Sequence, residues 1–546
     1  MKALLIYPPF ASTWLVSLGF GEPLGIAYVA AALEQSGRHQ VDILDGVGTV
    51  KSLSNVEVGQ LNWIGVTHDE VMQRMADLEF DVIGISMSRT SAIDPLTETL
   101  IRRIKTAYPD VPVIAGGPEA SHFWHRYIQN PDIDYIVIGE GEKTMVDLLD
   151  ALEGRGSVAD VKGIAWRGDD GKAVKTPDQD IVDIDSIPWP ARHLLPLRSY
   201  IDNRPSTDVP AATILTSRAC PFSCAFCSTI HIWGRKWRGR SAVDVVDEME
   251  FLVRTYGVKE IRIQDDNFCV DRKRVHRICD LILERGLDIR LHVDPGVMSM
   301  LADRDLLTKL RRVGMVSLNM QLETGCEKTQ AYVNKKIDLD HMRAMVRCSH
   351  ELGMAVTTNI ILGFPYETKA DMEESVRTAI EIGFDNIGFN WLDPRENTRV
   401  WHDFIAAGIF GADDHIQVPV PTLYCSADEV RAMRVWAIEE FERNKSAPAL
   451  GKTVILAGED IRHEDTHCYT IRIEGSGVVA DCSDLPWRSP ARLYENDRLL
   501  GPAHAQHVYI RTIGDGRYSH WGSTVYFSAS DNSDPRLNGR VYRLEY

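Results

Sequence analysis

Ser217-Arg218-Ala219-Cys220-Pro221-Phe222-Ser223-Cys224-Ala225-Phe226-Cys227-Ser228 sets three cysteines in a C-x3-C-x2-C run, directly after a short apolar stretch at 212–216. Three thiolates at this spacing can hold three corners of a cubane iron–sulfur cluster. The loop offers no fourth cysteine, so one iron would stay open to a ligand. Zinc ligation or simple packing of small apolar thiols are the alternatives. Structural zinc loops usually pair C-x2-C with a second such pair, and none occurs here. Cys269, Cys279, Cys326, Cys348, Cys425, Cys468 and Cys482 stand singly and read as packing residues.

Outward from this loop, six strand–helix units can be read. Strands are expected at 212–216, 260–264, 290–293, 315–322, 355–362 and 386–391, with helices at 242–256, 272–284, 303–312, 339–351 and 369–382. Such alternation predicts a (β/α)6 partial barrel with its chemistry at the carboxyl ends of the strands. The cysteine loop leaves the first strand at that mouth. Other strand ends there are polar: Gln264-Asp265-Asp266-Asn267, Gln321-Leu322-Glu323-Thr324-Gly325, and Asn359 to Pro365 followed by Tyr366-Glu367-Thr368. For Asp265-Asp266 the alternative is capping of the segment that follows.

Upstream, residues 1–154 alternate strands (3–7, 40–44, 82–86, 113–115, 135–138) with helices (25–36, 67–77, 95–108, 142–151). The pattern predicts a doubly wound, parallel, Rossmann-like sheet, with its ligand crevice beyond the carboxyl ends of the strands. Polar and glycine turns lie there: Asp45-Gly46, Ser86-Met87-Ser88, Gly116-Gly117-Pro118-Glu119 and Gly139-Glu140-Gly141-Glu142. No G-x-G-x-x-G follows the first strand, which weakens a dinucleotide reading. A flavodoxin-like fold without cofactor is the plain alternative.

Residues 155–206 read as a connector, with Ile184-Asp185-Ser186-Ile187-Pro188-Trp189-Pro190 favouring an extended tether. The barrel region spans 207–445, and a helix at 427–444 closes it. Residues 446–546 form an all-β accessory domain, a small sandwich, with strands at 468–473 and 507–511. Its Arg517-Tyr518-Ser519-His520-Trp521-Gly522 stretch and Asp-Asn loops could present a sugar-binding face. A dimerisation or stability module is the alternative. His504, His507 and His520 fit no established metal spacing.

The cysteine loop resembles the signature of the radical S-adenosylmethionine (SAM) superfamily. The first segment resembles the cobalamin-binding domain found before such barrels, on Tyr7-Pro8-Pro9, Pro23-Leu24-Gly25-Ile26, Ala115-Gly116-Gly117-Pro118 and Val137-Ile138-Gly139-Glu140-Gly141-Glu142. The connector is similar to the linker of the same family. The resemblance implies a [4Fe-4S] cluster on Cys220, Cys224 and Cys227 as the catalytic centre. It implies SAM contacts from Asp265, Asp266, Gln321, Glu323, Asn359 and Gly363. It also implies cobalamin contacts from Pro8, Leu24, Gly25, Asp45, Ser86, Gly116, Gly117, Glu140 and Gly141.

Three departures from the family pattern stand out. No D-x-H-x-x-G motif supplies a cobalt-ligating histidine; His39, His68, His122 and His125 read as surface or satisfied residues. Asp294-Pro295-Gly296 lies where many relatives carry arginine. Asp393-Pro394-Arg395-Glu396-Asn397-Thr398 replaces a more usual proline–glycine turn.

The function implied is a cobalamin-dependent radical SAM methyltransferase acting at an unactivated carbon or phosphorus. One SAM would methylate cobalamin, and a second would yield the 5'-deoxyadenosyl radical that abstracts hydrogen from substrate. Oxidative cyclisation or rearrangement with the same cofactors is the runner-up, and a non-catalytic cobalamin sensor the third reading. The C-terminal module resembles a tail of bacterial surface-polysaccharide enzymes, which points to a small-molecule or glycan-precursor substrate. An external donor such as flavodoxin or ferredoxin would supply electrons. A net charge of −18 argues against a nucleic-acid partner. The opening residues lack a signal h-region, no stretch approaches a membrane span, and the unframed cysteines indicate a reducing, cytoplasmic setting.

Overall fold

The computed structural model of the 546-residue chain describes residues 1–12, 21–48, 57–58, 61–87, 95–202, 209–411, 416, 418–444, 453–473, 480–481, 489 and 491–546. Two compact units divide the chain, the second comprising Glu442–Tyr546. Among the described residues no helix is long and apolar enough to cross a membrane.

In the first unit, Lys2–Tyr7 sits inside a seven-stranded sheet, flanked by Gln40–Asp45 on one side and Val82–Ser86 on the other. Val113–Gly116 and Tyr135–Val137 continue the sheet, and these five strands are parallel. Successive side chains of a strand point to opposite faces. Ala3 and Leu5 therefore join the core formed with Ile26, Ala30, Leu33, Leu148 and Leu149, whereas Leu4 and Ile6 join the opposite one with Val71, Met75, Leu100, Ile101 and Ile104. All four strand residues are at most 2% exposed, as a strand covered on both faces requires. In chain order the parallel strands run 2-1-3-4-5. The switch point falls between Lys2–Tyr7 and Val82–Ser86, where ligands enter such sheets.

The connector departs from expectation. Ile164–Arg167 and Ala173–Lys175 extend the sheet as two antiparallel strands. Farther on, Arg192 is buried and donates to Glu248 at 2.5 Å and to the Thr213 carbonyl at 2.6 Å. Much of the connector is thus fastened down rather than extended; residues 203–206 lie outside the described part.

The barrel follows as expected. Ala211–Ile214, Glu260–Ile263 and Arg290–Val293 form one parallel run, and Ser317–Asn319, Ala355–Leu362 and Asn386–Trp391 form a second. A parallel bridge between Val297 and Met320 links the two. The fourth strand, Ser317–Asn319, is shorter than read, although Met320 beyond it still donates to the Thr357 carbonyl at 2.8 Å. Along Ala355–Leu362 burial alternates strictly, with Val356, Thr358, Ile360 and Leu362 packed away and Thr357, Asn359 and Ile361 half-buried. Helix Ala427–Asn444 docks on the last strand, Arg434 donating to the Phe389 carbonyl at 2.7 Å.

The second unit is a sandwich of two four-stranded antiparallel sheets. Its core joins Leu456, Leu493, Tyr542 and Leu544 of one sheet to Tyr469, Ile471, Tyr518, Val525 and Phe527 of the other. The expected strand at 507–511 is instead the helix His507–Thr512. Helical spacing puts His507 and Ile510 on one face, where His507 stacks on Tyr526 at 3.7 Å and Ile510 is fully buried. The expected aromatic sugar face is not assembled. Tyr518 and His520 point inward, at 3% and 1% exposure, and of the rings in that stretch only Trp521 is half-buried. His504 contacts Asp481 at 2.9 Å and His520 contacts Ser489 at 2.7 Å, and the Ser489 N–H donates to the same Asp481 at 2.8 Å.

Gly117, with φ 98°, starts the turn after Val113–Gly116, and a Cβ there would lie 2.6 Å from the Met87 carbonyl oxygen. Gly257 has a comparable φ of 70° but open space around it. Gly117→Ala is expected to cost about 3 kcal/mol in urea unfolding and Gly257→Ala about 1 kcal/mol. Equal losses would contradict the close approach.

Candidate functional site

The cysteine loop is anchored at its root by Asp265, which is fully buried at the end of the second barrel strand. Its carboxylate accepts from the Thr216 backbone N–H and from Ser217 Oγ, each at 2.6 Å, and from Thr216 Oγ1. Burial pushes this carboxyl up, opposed by Arg274 and the hydroxyl donors. Arg274 donates to the carbonyls of Thr216 and Arg240, both at 2.6 Å. Ser217–Arg218 then pairs antiparallel with Arg238–Gly239, so residues 219–237 form a loop closed at a two-stranded neck.

Within the loop Cys220, Cys224 and Cys227 are all half-buried. The Cys227 N–H donates to the Cys224 carbonyl at 3.2 Å, and the Ala225 N–H to the Val333 carbonyl at 2.9 Å. Ala225 is buried with Val333, Phe364, Leu392 and Val400, which seats the middle of the loop on the barrel. Asn267 Nδ2 lies 3.7 Å from Cys220 Sγ. Burial pushes the Cys220 thiol up, and takes Cys224 to about 12 against the pull of Lys335. Among the described residues, the His39, Asp150 and Glu153 group alone has its ligand atoms all within 4.8 Å of one another. At least one pair of the three sulfurs is therefore wider than one zinc ion with ~2.3 Å Zn–S bonds would gather. Three thiols spread wider than a single zinc site fit the corners of a larger cubane cluster. The six other described cysteines are buried packing residues, and Cys482 lies outside the described part.

The barrel mouth brings the expected polar strand ends together. Gln321 donates to the Pro295 carbonyl at 2.8 Å, Asn390 donates to Asn359 at 3.2 Å, and Asn359 Nδ2 lies 3.5 Å from Gln321. Glu323 pairs with Lys335 at 2.6 Å, both mostly buried. Asp266 accepts from Thr229 at 3.0 Å, and desolvation raises its carboxyl to about 6. Gly363, with φ 98°, opens a turn closed by Glu367, which accepts the Gly363 and Phe364 N–H groups at 2.9 Å each. Asp294 is committed to Arg262 at 2.9 Å, and Asp393 to Arg395 at 3.1 Å.

On the parallel sheet, Pro8, Asp45, Ser86, Gly116 and Gly117 line the carboxyl edge on both sides of the switch point. Leu24 and Gly25 start the first helix, and open space surrounds the Gly25 Cα. A Cβ on Gly46 would lie 2.8 Å from Pro9, so the turns pack tightly. Glycine-lined turns at an open-sheet switch point fit a large planar cofactor. His122 sits beside this edge at 5% exposure; burial, with His231 and Arg395, pushes it down to about 4, so it is neutral.

Three expected ligand contacts have other work in the structure. Asp265 holds the root of the cysteine loop. Asp45 accepts from the N–H groups of Val47 and Gly48 and from Tyr200, at 2.8, 2.9 and 2.6 Å. Glu140 is ion-paired with Arg218 and Arg238. In each case the carboxylate is spent on protein donors because burial demands partners. Lys335 and Arg218 escaped the sequence reading, and Asn267 was read only as part of a polar strand end. Of the two, Arg218 left a signal, being next but one to the first cysteine.

Comparison with known proteins agrees with this geometry. The Radical SAM superfamily model matches residues 214–379, and the B12 binding domain model residues 14–149. An uncharacterised methyltransferase of Pyrococcus horikoshii is 29% identical, over 74% of this chain and 83% of its own length. Cytidylyl-2-hydroxyethylphosphonate methyltransferase of Streptomyces wedmorensis is 27% identical, over 72% and 80%. Anaerobic magnesium-protoporphyrin IX monomethyl ester cyclase of Rubrivivax gelatinosus is 28% identical, over 69% and 65%. In fold, the chain matches the radical SAM methyltransferase TsrM of Kitasatospora setae, solved with cobalamin and a [4Fe-4S] cluster. The TM-score is 0.60 at 19% identity, over 79% of this chain and 80% of that one.

Asp265→Asn is expected to lower the iron and sulfide retained after anaerobic reconstitution several-fold, because the amide turns a donor toward Thr216 and Ser217; retention at the wild-type level would contradict its anchoring role. Burial raises Glu367 to about 7. The folded state then holds this proton between the unfolded value near 4.5 and about 7, so stability falls as pH rises through that window. Relative to Glu367→Gln, the wild type is expected to lose about 3 kcal/mol from pH 4.5 to above 7, read by denaturant unfolding at each pH. A pH-independent difference would contradict the buried, protonated carboxyl.

Proposed function

Because the chain belongs to the cobalamin-dependent radical SAM family, we propose that it transfers a methyl group to an unactivated carbon, or to phosphorus, of a small-molecule substrate at the barrel mouth. The observation that carries this is the three-thiol loop rooted at that mouth, in one compact unit with a switch-point sheet matched by the B12-binding model. When bound, the cluster supplies reductive cleavage of SAM to a 5'-deoxyadenosyl radical, and cobalamin supplies the methyl carrier.

The chain's own residues hold and orient these groups. Cys220, Cys224 and Cys227 are assigned to the cluster. The Glu323–Lys335 pair offers one acceptor and one donor, the complement of a methionyl ammonium and carboxylate. Gln321, Asn359 and the Gly363 turn are assigned to the sugar and base of SAM, and Asp266 to the opening beside Thr229. Gly25, Ser86, Gly116, Gly117 and Gly141 are assigned to cobalamin, largely through backbone close approach. The packed loop seat around Ala225 excludes water from one side of the cluster.

A low-potential external donor, flavodoxin or ferredoxin in class, and a cytoplasmic setting complete the proposal. With Tyr518 and His520 buried, the second unit gives no support to a glycan substrate, and the substrate class stays at small molecule. Oxidative cyclisation is the second reading, favoured by the similarity to the cyclase of Rubrivivax gelatinosus.

Reduced, reconstituted protein is expected to bind about one cobalamin per chain and to release 5'-deoxyadenosine from SAM. Cys224→Ala is expected to lose that release by at least about a hundredfold, since the reaction has no other electron route. Formation of S-adenosylhomocysteine in step with product separates methyl transfer from cyclisation. Cobalamin binding without any 5'-deoxyadenosine would sink the enzyme proposal and leave a sensor.

A further inference from the structure

Two acidic residues that the sequence placed at the cobalamin edge face the neck of the cysteine loop instead. Glu140 and Glu142 follow the strand Tyr135–Val137. Arg218 Nη1 donates to Glu140 Oε2 at 2.8 Å, and Arg218 Nη2 pairs with Glu142. Arg238 pairs with the same Glu140, its Nη1 lying 3.2 Å from Oε2. Arg218 and Arg238 face each other across the two-stranded neck, one on each leg of the loop. Side-chain exposure is 2% for Arg218, 8% for Arg238, 14% for Glu140 and 10% for Glu142. The Tyr28 and Trp233 rings lie 5.3 and 5.0 Å from the Arg218 guanidinium.

Buried ion pairs contribute little net stability over apolar packing, and their best-attested use is to fix register. Here two carboxylates on one turn grip both legs of one loop. Planar guanidiniums make that grip directional, not merely attractive. A second restraint acts from below, where Asp265 holds Thr216 and Ser217. The neck is thereby referenced to the sheet and to the barrel at once.

We propose that Glu140 and Glu142 are positioning residues that clamp the neck of the cysteine loop, setting the distance and angle between the cluster and the cobalamin held by the sheet. The consequence for the cofactors rests on the family reading above; the clamp itself does not. Removing the clamp leaves each cofactor bound but lets the loop sample several positions. Precision matters because a misplacement of about 1 Å can cost a reaction two orders of magnitude.

The test compares wild type, Glu142→Gln, the paired variant Glu140→Gln with Arg238→Gln, and Asp134→Asn. The paired variant removes one arm without leaving a buried charge. Asp134 binds Lys105 and the Val113 N–H, both at 2.8 Å, at the opposite end of the same strand, and controls for general loosening. First, hydrogen exchange in cofactor-free protein is expected to quicken about tenfold at residues 216–219 and 238–240 in either clamp variant, and not in Asp134→Asn. Second, in protein holding cob(II)alamin and the one-electron-reduced cluster, pulsed electron paramagnetic resonance reads the distance between the two spins. A narrow distribution is expected in wild type and Asp134→Asn, and a broadened one in both clamp variants.

Unchanged exchange at the neck, or the same change in Asp134→Asn, would overturn the clamp. Faster exchange with an unbroadened distance would overturn its positioning role. Failure of the wild type to bind cobalamin would instead count against the family reading, with the exchange result still deciding the clamp.

Discussion

A single carboxylate with no access to water, that of Asp265, sets the frame for everything at the barrel mouth. Its oxygens are taken by the backbone of Thr216 and the hydroxyls of Thr216 and Ser217, three bonds from two residues that lead into the cysteine loop. A buried carboxylate left without donors is costly, so the chain is bound to deliver them at that point. The delivery fixes where the first strand ends and where the loop begins. From that root the loop runs out, seats Ala225 among Phe364, Leu392 and Val400, and returns to the Arg238–Gly239 leg.

Local order in the loop is thus imposed from three directions, none of which involves a cysteine. Asp265 holds the root, the Val333 carbonyl holds the middle at 2.9 Å, and Glu140 with Glu142 grips the neck. Burial pushes the thiols of Cys220 and Cys224 up, and neither carries the packing of the loop. That division suits a centre whose ligands must meet a cluster at fixed positions. The same economy recurs on the sheet, where Asp45 secures its own turn and leaves the glycines at the edge to approach a cofactor by backbone.

Much of this was legible in the chain. Strand–helix alternation announced both the doubly wound sheet and the six barrel strands, because each buried strand needs an apolar run and each helix an apolar stripe. The C-x3-C-x2-C spacing pointed to a cluster but left zinc and packing open until its place after the first barrel strand was read with it. What escaped depended on partners distant in sequence. Ile164–Arg167 and Ala173–Lys175 are short antiparallel additions, one of them wholly exposed, with no periodicity long enough to register. His507–Thr512 reads His-Val-Tyr-Ile-Arg-Thr, a β-leaning composition that packing against Tyr526 turned into a helix. Asp265, Asp45 and Glu140 were legible as polar groups near a site, but not as groups facing the protein. Lys335 gave no signal at all; its closeness to Cys224 exists only once the Val333 segment folds onto the loop.

The chemistry proposed for the barrel mouth requires one iron free to take SAM while three cysteines hold the rest of the cluster. Electron–nuclear double resonance on reduced, reconstituted protein with SAM labelled with nitrogen-15 at its amino group tests that most directly. A nitrogen-15 coupling that appears in the cluster spectrum on adding SAM, and is absent from Cys224→Ala, is the predicted result. A cluster spectrum that SAM leaves unchanged would contradict the open iron and, with it, the chemistry assigned to the barrel mouth.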